Sequence, residues 1–326
     1  MKSFQIVLIF LFSQGLMAQF YIKSEPFVHT YSIVARDSLT GDMAVAVQSH
    51  WFSVGSVVTY GRAGVGVVAT QSLVNPSYGP KGLALMEQGL TPEQALNGLL
   101  ENDPGAMFRQ VAFLNHKGIV ATHTGSQCID EAGHKQGRNF SVQANMMLNN
   151  TVWDAMAQAF QTTRGHLSYR VLAALKAAEN EKGDIRGKQS AAILMVKGEA
   201  TGNIWEDVSM DLRVEDHEDP LHELERLIKM HDAYNYMNKG DLAMEEGNSD
   251  KAENLYLQAQ NLFPDNLEMT YWYAINLLNN KDYSKAFPIL KSIFNQDKNW
   301  KTLTGRLVNS KLLIIPKERL EEVMAL

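Results

Sequence analysis

Between Thr30 and Gln71 the chain falls into three β-branched runs, Thr30–Asp37, Met43–Ser49 and Gly64–Ser72, each opening or closing on hydroxyl and amide side chains. Polar groups at the ends of otherwise apolar strands point to a site there. Asp37-Ser38-Leu39-Thr40-Gly41-Asp42 joins the first two runs with turn formers, which predicts an antiparallel hairpin. The third run is apolar from Val65 to Ala69, the pattern of a strand covered on both faces.

Apolar spacing turns helical from Leu83 to Gly89, and Thr91-Pro92-Glu93-Gln94 then places a capping hydroxyl before a proline, opening a second helix through Leu100. Two strand-like runs, Gln110–Leu114 and Ile119–Thr124, flank Asn115-His116-Lys117-Gly118 and predict another hairpin, which carries His123 and Thr124 to a strand end. Helical periodicity returns over Val152–Phe160 and Leu167–Ala178, and strand character over Ser190–Val196 and Val208–Val214. Strands grouped with helices between them, without strict β-α-β alternation, predict stacked layers of the α+β class.

After the acidic stretch Glu215–Pro220 everything reads as helix, and 326 residues exceed what one core usually holds, so two domains are expected, 30–230 and 231–326. In the second, Gly240, Ala252, Tyr256, Ala259 and Pro264 have the spacing of a tetratricopeptide repeat, and an offset of 34 residues maps Gly240 onto Ala274 and Ala252 onto Ala286. One good repeat and one degenerate repeat result, with Trp300–Leu326 as a cap. About three repeats are needed for an independent solenoid, so this pair is expected to lean on the first domain.

A net charge of −6 and the lack of a long basic run exclude a nucleic-acid surface. Met1-Lys2, the apolar Phe4–Phe12 and the small-residue stretch to Ala18 have the order of a secretory signal, with cleavage expected after Ala18 and residues 19–29 left as an N-terminal extension. That apolar core is far shorter than the ~20 residues that span a bilayer, so an exported protein, periplasmic or secreted and without a membrane span, is expected. Cys128 is the only cysteine and has no intramolecular disulfide partner.

The polar clusters Asn75–Gly79, Asp103-Pro104, His123-Thr124-Gly125, Gly133-His134, Gln143–Met146, Gly187–Ala191 and Asp211–His217 follow one another in an order too specific for composition. With them, the chain from Thr30 to about Leu227 resembles the bacterial and archaeal family catalogued as domain of unknown function 1028, which is similar in fold to the N-terminal-nucleophile hydrolases. The resemblance implies a layered αββα domain. In such hydrolases a Thr, Ser or Cys heading a strand attacks an amide, and its own α-amine, with a pKa near ~8, serves as base. Family members often begin Met-Thr-Phe-Ser-Ile-Val-Ala-Arg, and the matching residues here are Thr30-Tyr31-Ser32-Ile33-Val34-Ala35-Arg36.

This chain departs from that pattern, because residues 19–29 would still precede Thr30, which becomes a nucleophile only when the His29-Thr30 bond is cut. The plainer alternative is that Thr30 is a β-branched strand opener. Ser49 and Gln71 are expected to orient a substrate amide or donate to an oxyanion, with hydrogen bonds to loops as the alternative, and Asn145 is a similar case. His123 is expected as a further polar contact. Arg36 and Asp37 pair with each other's neighbours, steer a charged substrate or, in the plainest reading, form a solvated turn.

His123, Cys128 and His134, with Asp216 and His217, are zinc-compatible residue types, but their spacing matches no closed zinc motif, so no metal is assigned. Gly187-Lys188-Gln189-Ser190 lacks the upstream glycine of a phosphate loop, and no cofactor is expected, although Arg186 and Lys188 remain candidates for an acidic group. Together these readings predict an exported hydrolase of a small amide or peptide, with a helical module that docks a protein or substrate. The competing reading is a noncatalytic ligand- or cell-wall-binding protein on the same fold, and a third is an acid/base hydrolase using His123 or His217. Self-association stays open.

Overall fold

The structure, a computed structural model, describes residues 27–326. The expected signal segment and most of the N-terminal extension lie outside the described residues. Two compact units divide the chain, one up to Glu225 and one from Arg226 to Leu326.

The first unit begins with β1 (Phe27–Val28), β2 (Thr30–Arg36) and β3 (Met43–Ser49). Strands β2 and β3 form the predicted hairpin, with Thr30 opposite Ser49 and Arg36 opposite Met43. A short α1 (Gly55–Val58) and β4 (Thr59–Arg62) lead into β5 (Gly66–Leu73), whose eight residues are all buried, as its unbroken apolar start predicts. Helix α2 (Tyr78–Glu87) starts ahead of Pro80. Helix α3 (Pro92–Leu100) starts where Thr91 and Gln94 exchange side-chain and backbone hydrogen bonds in a capping box. Strands β6 (Arg109–Asn115) and β7 (Val120–Thr124) make the second predicted hairpin.

A third hairpin, β8 (Gly133–Gly137) and β9 (Phe140–Ala144), was not foreseen in the sequence. Its outer strand is Gly-His-Lys-Gln-Gly, which carries no apolar alternation, and Asn139 turns the chain in the left-handed region at φ 66°. Then come α4 (Val152–Thr162), α5 (Leu167–Asn180), β10 (Ser190–Val196), the short α6 (Ile204–Asp207) and β11 (Val208–Val214).

One sheet has the order β1-β5-β6-β7, with β4 also on β5, and the other runs β11-β10-β3-β2-β9-β8. The two pack face to face. Helices α2 and α3 cover the outer side of the first sheet, where Leu83, Met86 and Leu96 meet Val68, Val111 and Phe113. Helices α4 and α5 cover the outer side of the second, with the Phe140 and Phe160 rings 4.9 Å apart. Strand alternation sorts β2 between these layers: Thr30, Ser32 and Val34 face the other sheet, while the Tyr31 hydroxyl reaches Glu179 on α5. The space between the sheets is therefore split lengthwise. One half is apolar, built from Val34, Val45, Val47, Val67, Ala69 and Leu114, and each valine or leucine there contributes on the order of 1.5–3 kcal/mol by leaving water. The other half is polar and forms the candidate site.

The division between the units falls within α7 (Pro220–Glu245), as does the boundary expected near His231. The second unit continues with α8 (Ser249–Leu262), α9 (Glu268–Asn279), α10 (Tyr283–Gln296), α11 (Lys298–Leu307) and α12 (Lys317–Ala325). Its core holds Ala252, Tyr256, Ala259, Ala274 and Ala286. Gly240 lies against Tyr256 so closely that a Cβ there would meet the ring at 2.8 Å. Among the described residues no helix is long and apolar enough to cross a membrane.

Candidate functional site

The polar half of the inter-sheet space is a closed hydrogen-bond network around the start of β2. Gln71 accepts from the Ser32 hydroxyl at 2.6 Å and donates to Gln110 Oε1 at 2.7 Å and to the Thr30 carbonyl at 3.2 Å. Gln110 in turn donates to Thr124 Oγ1 and to the Ala144 carbonyl, both at 2.9 Å. Asn145 donates to Gln110 Oε1 at 2.9 Å, and Gln143 donates to Ser32 Oγ at 2.5 Å. Gln71, Gln110, Gln143 and Asn145 are each fully buried, so their amides are held in one arrangement by partners they cannot exchange for water.

At the edge of this network lies the peptide bond between His29 and Thr30. The His29 carbonyl accepts from Ser49 Oγ at 2.5 Å and from Arg186 Nη2 at 2.8 Å. Pairing of Thr30 with Ser49 across β2 and β3 brings the serine there, and Asp184 holds the arginine through Nε at 3.0 Å and Nη2 at 2.7 Å. Asp184 is itself buried, and its carboxylate also accepts from the backbone N–H groups of His50 and Arg186. One carbonyl oxygen thus receives a hydroxyl and a guanidinium in a desolvated setting, which draws electron density onto that oxygen. The His29 ring sits against Asn145, 2.8 Å from Nδ1 to Oδ1. Burial, the strongest influence, pushes the imidazole below its ordinary pKa, with Asn145 acting in the opposite direction and the Arg186 charge in the same one. Thr30 is fully buried, and its hydroxyl donates to the Val28 carbonyl at 3.0 Å.

Four of the five residues singled out from the sequence, Thr30, Ser49, Gln71 and Asn145, therefore meet around this peptide. His123 does not. It pairs with Val111 in the β6–β7 ladder and faces the layer of α2 and α3, where its Nε2 lies 2.8 Å from the Ala106 carbonyl. Arg36 and Asp37 stand at the opposite end of β2 from Thr30, where Asp37 pairs with Arg170. Among the described residues no three His, Cys, Asp or Glu side chains are grouped to hold a metal. Cys128 Sγ instead contacts the Arg109 carbonyl at 3.4 Å, and burial raises its pKa.

Sequence reasoning missed Ser32, Gln110, Gln143, Asp184 and Arg186 as partners. The signal for Gln110 was present, since it heads an apolar strand just as Gln71 closes one. Asp184 and Arg186 belong to an irregular segment after α5, where no periodicity indicates which way a side chain points.

The chain belongs to the Family of unknown function (DUF1028), which matches residues 30–224. The match begins on Thr30 and ends beside the division between the two units. Among solved structures the chain is similar to protein SPO2555 from Silicibacter pomeroyi, described as DUF1028, with 30% identity over 62% of this chain and 88% of that one and a TM-score of 0.56. No curated protein matches the chain significantly.

Proposed function

We propose that the protein is an exported amide or peptide-bond hydrolase of the N-terminal-nucleophile type, made competent when the His29-Thr30 bond is cut. The observation that carries this reading is the His29 carbonyl held by Ser49 Oγ at 2.5 Å and Arg186 Nη2 at 2.8 Å, with the Thr30 hydroxyl on the next residue. Two sheets face to face between two pairs of helices agree with the layered αββα fold of such hydrolases.

In the proposed maturation step the Thr30 hydroxyl oxygen attacks the His29 carbonyl carbon. The new C–O bond replaces the C–N bond, and the hydroxyl proton passes to the departing nitrogen. Water then hydrolyses the ester, leaving a free α-amine on Thr30 beside its hydroxyl. Ser49 and Arg186 stabilise the oxyanion in this step and again when an external amide occupies the place of His29. Gln71 and Asn145, both on the Thr30 carbonyl, fix the strand end, and loss of residues 27–29 empties the space that β1 and the His29 ring fill.

The rest of α7 and the five helices that follow it act as a tetratricopeptide-like docking module. Leu257, Pro264, Leu267 and Ile289 line a groove of about 430 Å³ there, together with the ion pair of Glu253 and Lys285, which suits a protein segment with apolar anchors.

One observation favours a second reading, a noncatalytic ligand-binding protein: in the uncut chain the Thr30 hydroxyl is buried and engaged by Val28. Intact-mass measurement of the exported, purified protein separates the two. A chain beginning at Thr30, and a Thr30→Ala variant that keeps its upstream residues, is the expected result. A wild-type chain that begins at Gln19 and stays so on prolonged incubation overturns the enzyme reading in favour of the second.

A further inference from the structure

At the far end of β2 from Thr30, seven residues or roughly 20 Å along an extended strand, a separate cavity of about 270 Å³ is lined by Arg36, Ser38, Arg138, Asn139 and Arg170. Three guanidinium groups in one small cavity repel each other unless something compensates them. The carboxylate of Asp37 compensates one, since Arg170 Nη1 lies 3.3 Å from its Oδ2. The other oxygen of Asp37 is already committed, accepting from the backbone N–H groups of Leu39 at 2.8 Å and Thr40 at 3.1 Å.

Arg36 and Arg138 have no such relief. Arg36 Nε is buried and has no hydrogen-bond partner, and among the described residues no ion pair engages Arg36 or Arg138. Backbone pairing brings these two residues to the same cavity. The Arg36 backbone N–H donates to the Asn139 carbonyl at 2.8 Å, which ties the end of β2 to the turn that carries Arg138. Arg170 is held over the Phe160 ring, with its guanidinium carbon 4.5 Å from the centroid. The cavity thus gathers three guanidinium groups, that of Arg170 held over a ring, with two positive charges left over and with the hydroxyl of Ser38 and the amide of Asn139 on its wall.

We infer that this cavity is a binding site for a dianionic phosphate group, held by Arg36, Arg138 and Arg170 and independent of the Thr30 site. Guanidinium forks match the geometry of tetrahedral oxyanions, and a charge of about −2 balances the surplus. The volume leaves room for a small organic substituent on the phosphate.

The test is isothermal titration calorimetry on the full exported chain at low ionic strength, with inorganic phosphate as the probe, methyl phosphate as the monoester arm and succinate as a dicarboxylate of equal charge. Phosphate is expected to bind, and Arg138→Ala and Arg36→Gln are each expected to weaken it at least ~10-fold, while Arg62→Ala, whose arginine pairs with Glu87, leaves it unchanged. Binding of methyl phosphate at least as tight as that of phosphate identifies a monoester ligand, and weaker binding identifies the free ion. No heat of binding up to about 10 mM phosphate, equal affinity in the variants, or tighter binding of succinate overturns the inference. Should Arg36→Gln fail to fold, as circular dichroism would show, the exposed Arg138 carries the test alone.

Discussion

Replacing Ser49 by alanine removes the shorter of the two hydrogen bonds on the His29 carbonyl and leaves the one from Arg186. In the folded, uncut chain the carbonyl still has a charged donor, so stability is expected to fall only by about 0.5–1.5 kcal/mol, the net worth of an ordinary hydrogen bond. The cost rises when the oxygen takes on negative charge in the tetrahedral intermediate, where loss of one donor costs about 2.7–4 kcal/mol or ~10²–10³ in rate. Processing and folding should therefore respond very differently to one substitution. The assay dilutes denatured chain into refolding buffer and follows the appearance of the Thr30-initiated species by intact mass. Urea unfolding of the Thr30→Ala and Thr30→Ala/Ser49→Ala pair, in which no cleavage occurs, gives the stability cost separately. A Ser49→Ala chain that matures within about threefold of wild type, a difference under 1 kcal/mol in barrier, refutes the role given to this hydroxyl.

Asp103→Asn is expected to destabilise the first unit by about 3–5 kcal/mol, read from the urea midpoint, because Arg109 is buried and gives Asp103 two hydrogen bonds, at 2.8 and 3.2 Å. Burial alone would raise the Asp103 pKa, but the Arg109 bonds and the Gly105 N–H outweigh it and hold the folded carboxyl below its ordinary value. Its contribution is therefore complete above the unfolded pKa near ~3.9 and is lost as pH falls through the folded value, an acid limb that the asparagine variant should lack. Gln48 is fully buried with neither amide atom partnered among the described residues, so Gln48→Leu should raise the unfolding free energy by about 1–3 kcal/mol; a loss instead would mean the amide has a polar partner in solution. In the second unit Gly240→Ala pits a helix-propensity gain of about 1 kcal/mol against overpacking of the Tyr256 ring at about 1–3 kcal/mol, so thermal unfolding is expected to come earlier, and a later transition would count against the close packing.

How much of this was legible in the sequence depended on whether a segment carried a period. The β2–β3 and β6–β7 hairpins announced themselves through turn residues between β-branched runs, and the start of α3 through Thr91 and Pro92. The β8 strand had no such signal, since Gly133, His134, Lys135, Gln136 and Gly137 present no apolar face, and the strand is held by its ladder to β9 and by polar contacts from Thr124 and Asp154. For the site, polarity at strand ends located Thr30, Ser49, Gln71 and Asn145 because alternation dictates which face each occupies. The same argument could not place Arg186, whose position depends on a loop closing over the start of β2 and on Asp184 beneath it. His123 shows the limit from the other side: one step of register decides between the inter-sheet space and the helix layer, and composition is blind to that step.

The six-stranded sheet ends on β8 and β11, and both margins carry charge. His134, Lys135 and Gln136 stand exposed on β8, with Lys135 bound to Asp154 at 2.5 Å, and Asp211 and Arg213 pair at 3.0 Å on exposed positions of β11. An incoming strand would have to strip water from these ions before gaining any backbone ladder, so the sheet resists growing by addition of a second molecule. For a chain proposed to be exported, and so to fold away from the cytoplasm, rims that do not seed fibres are the safer design.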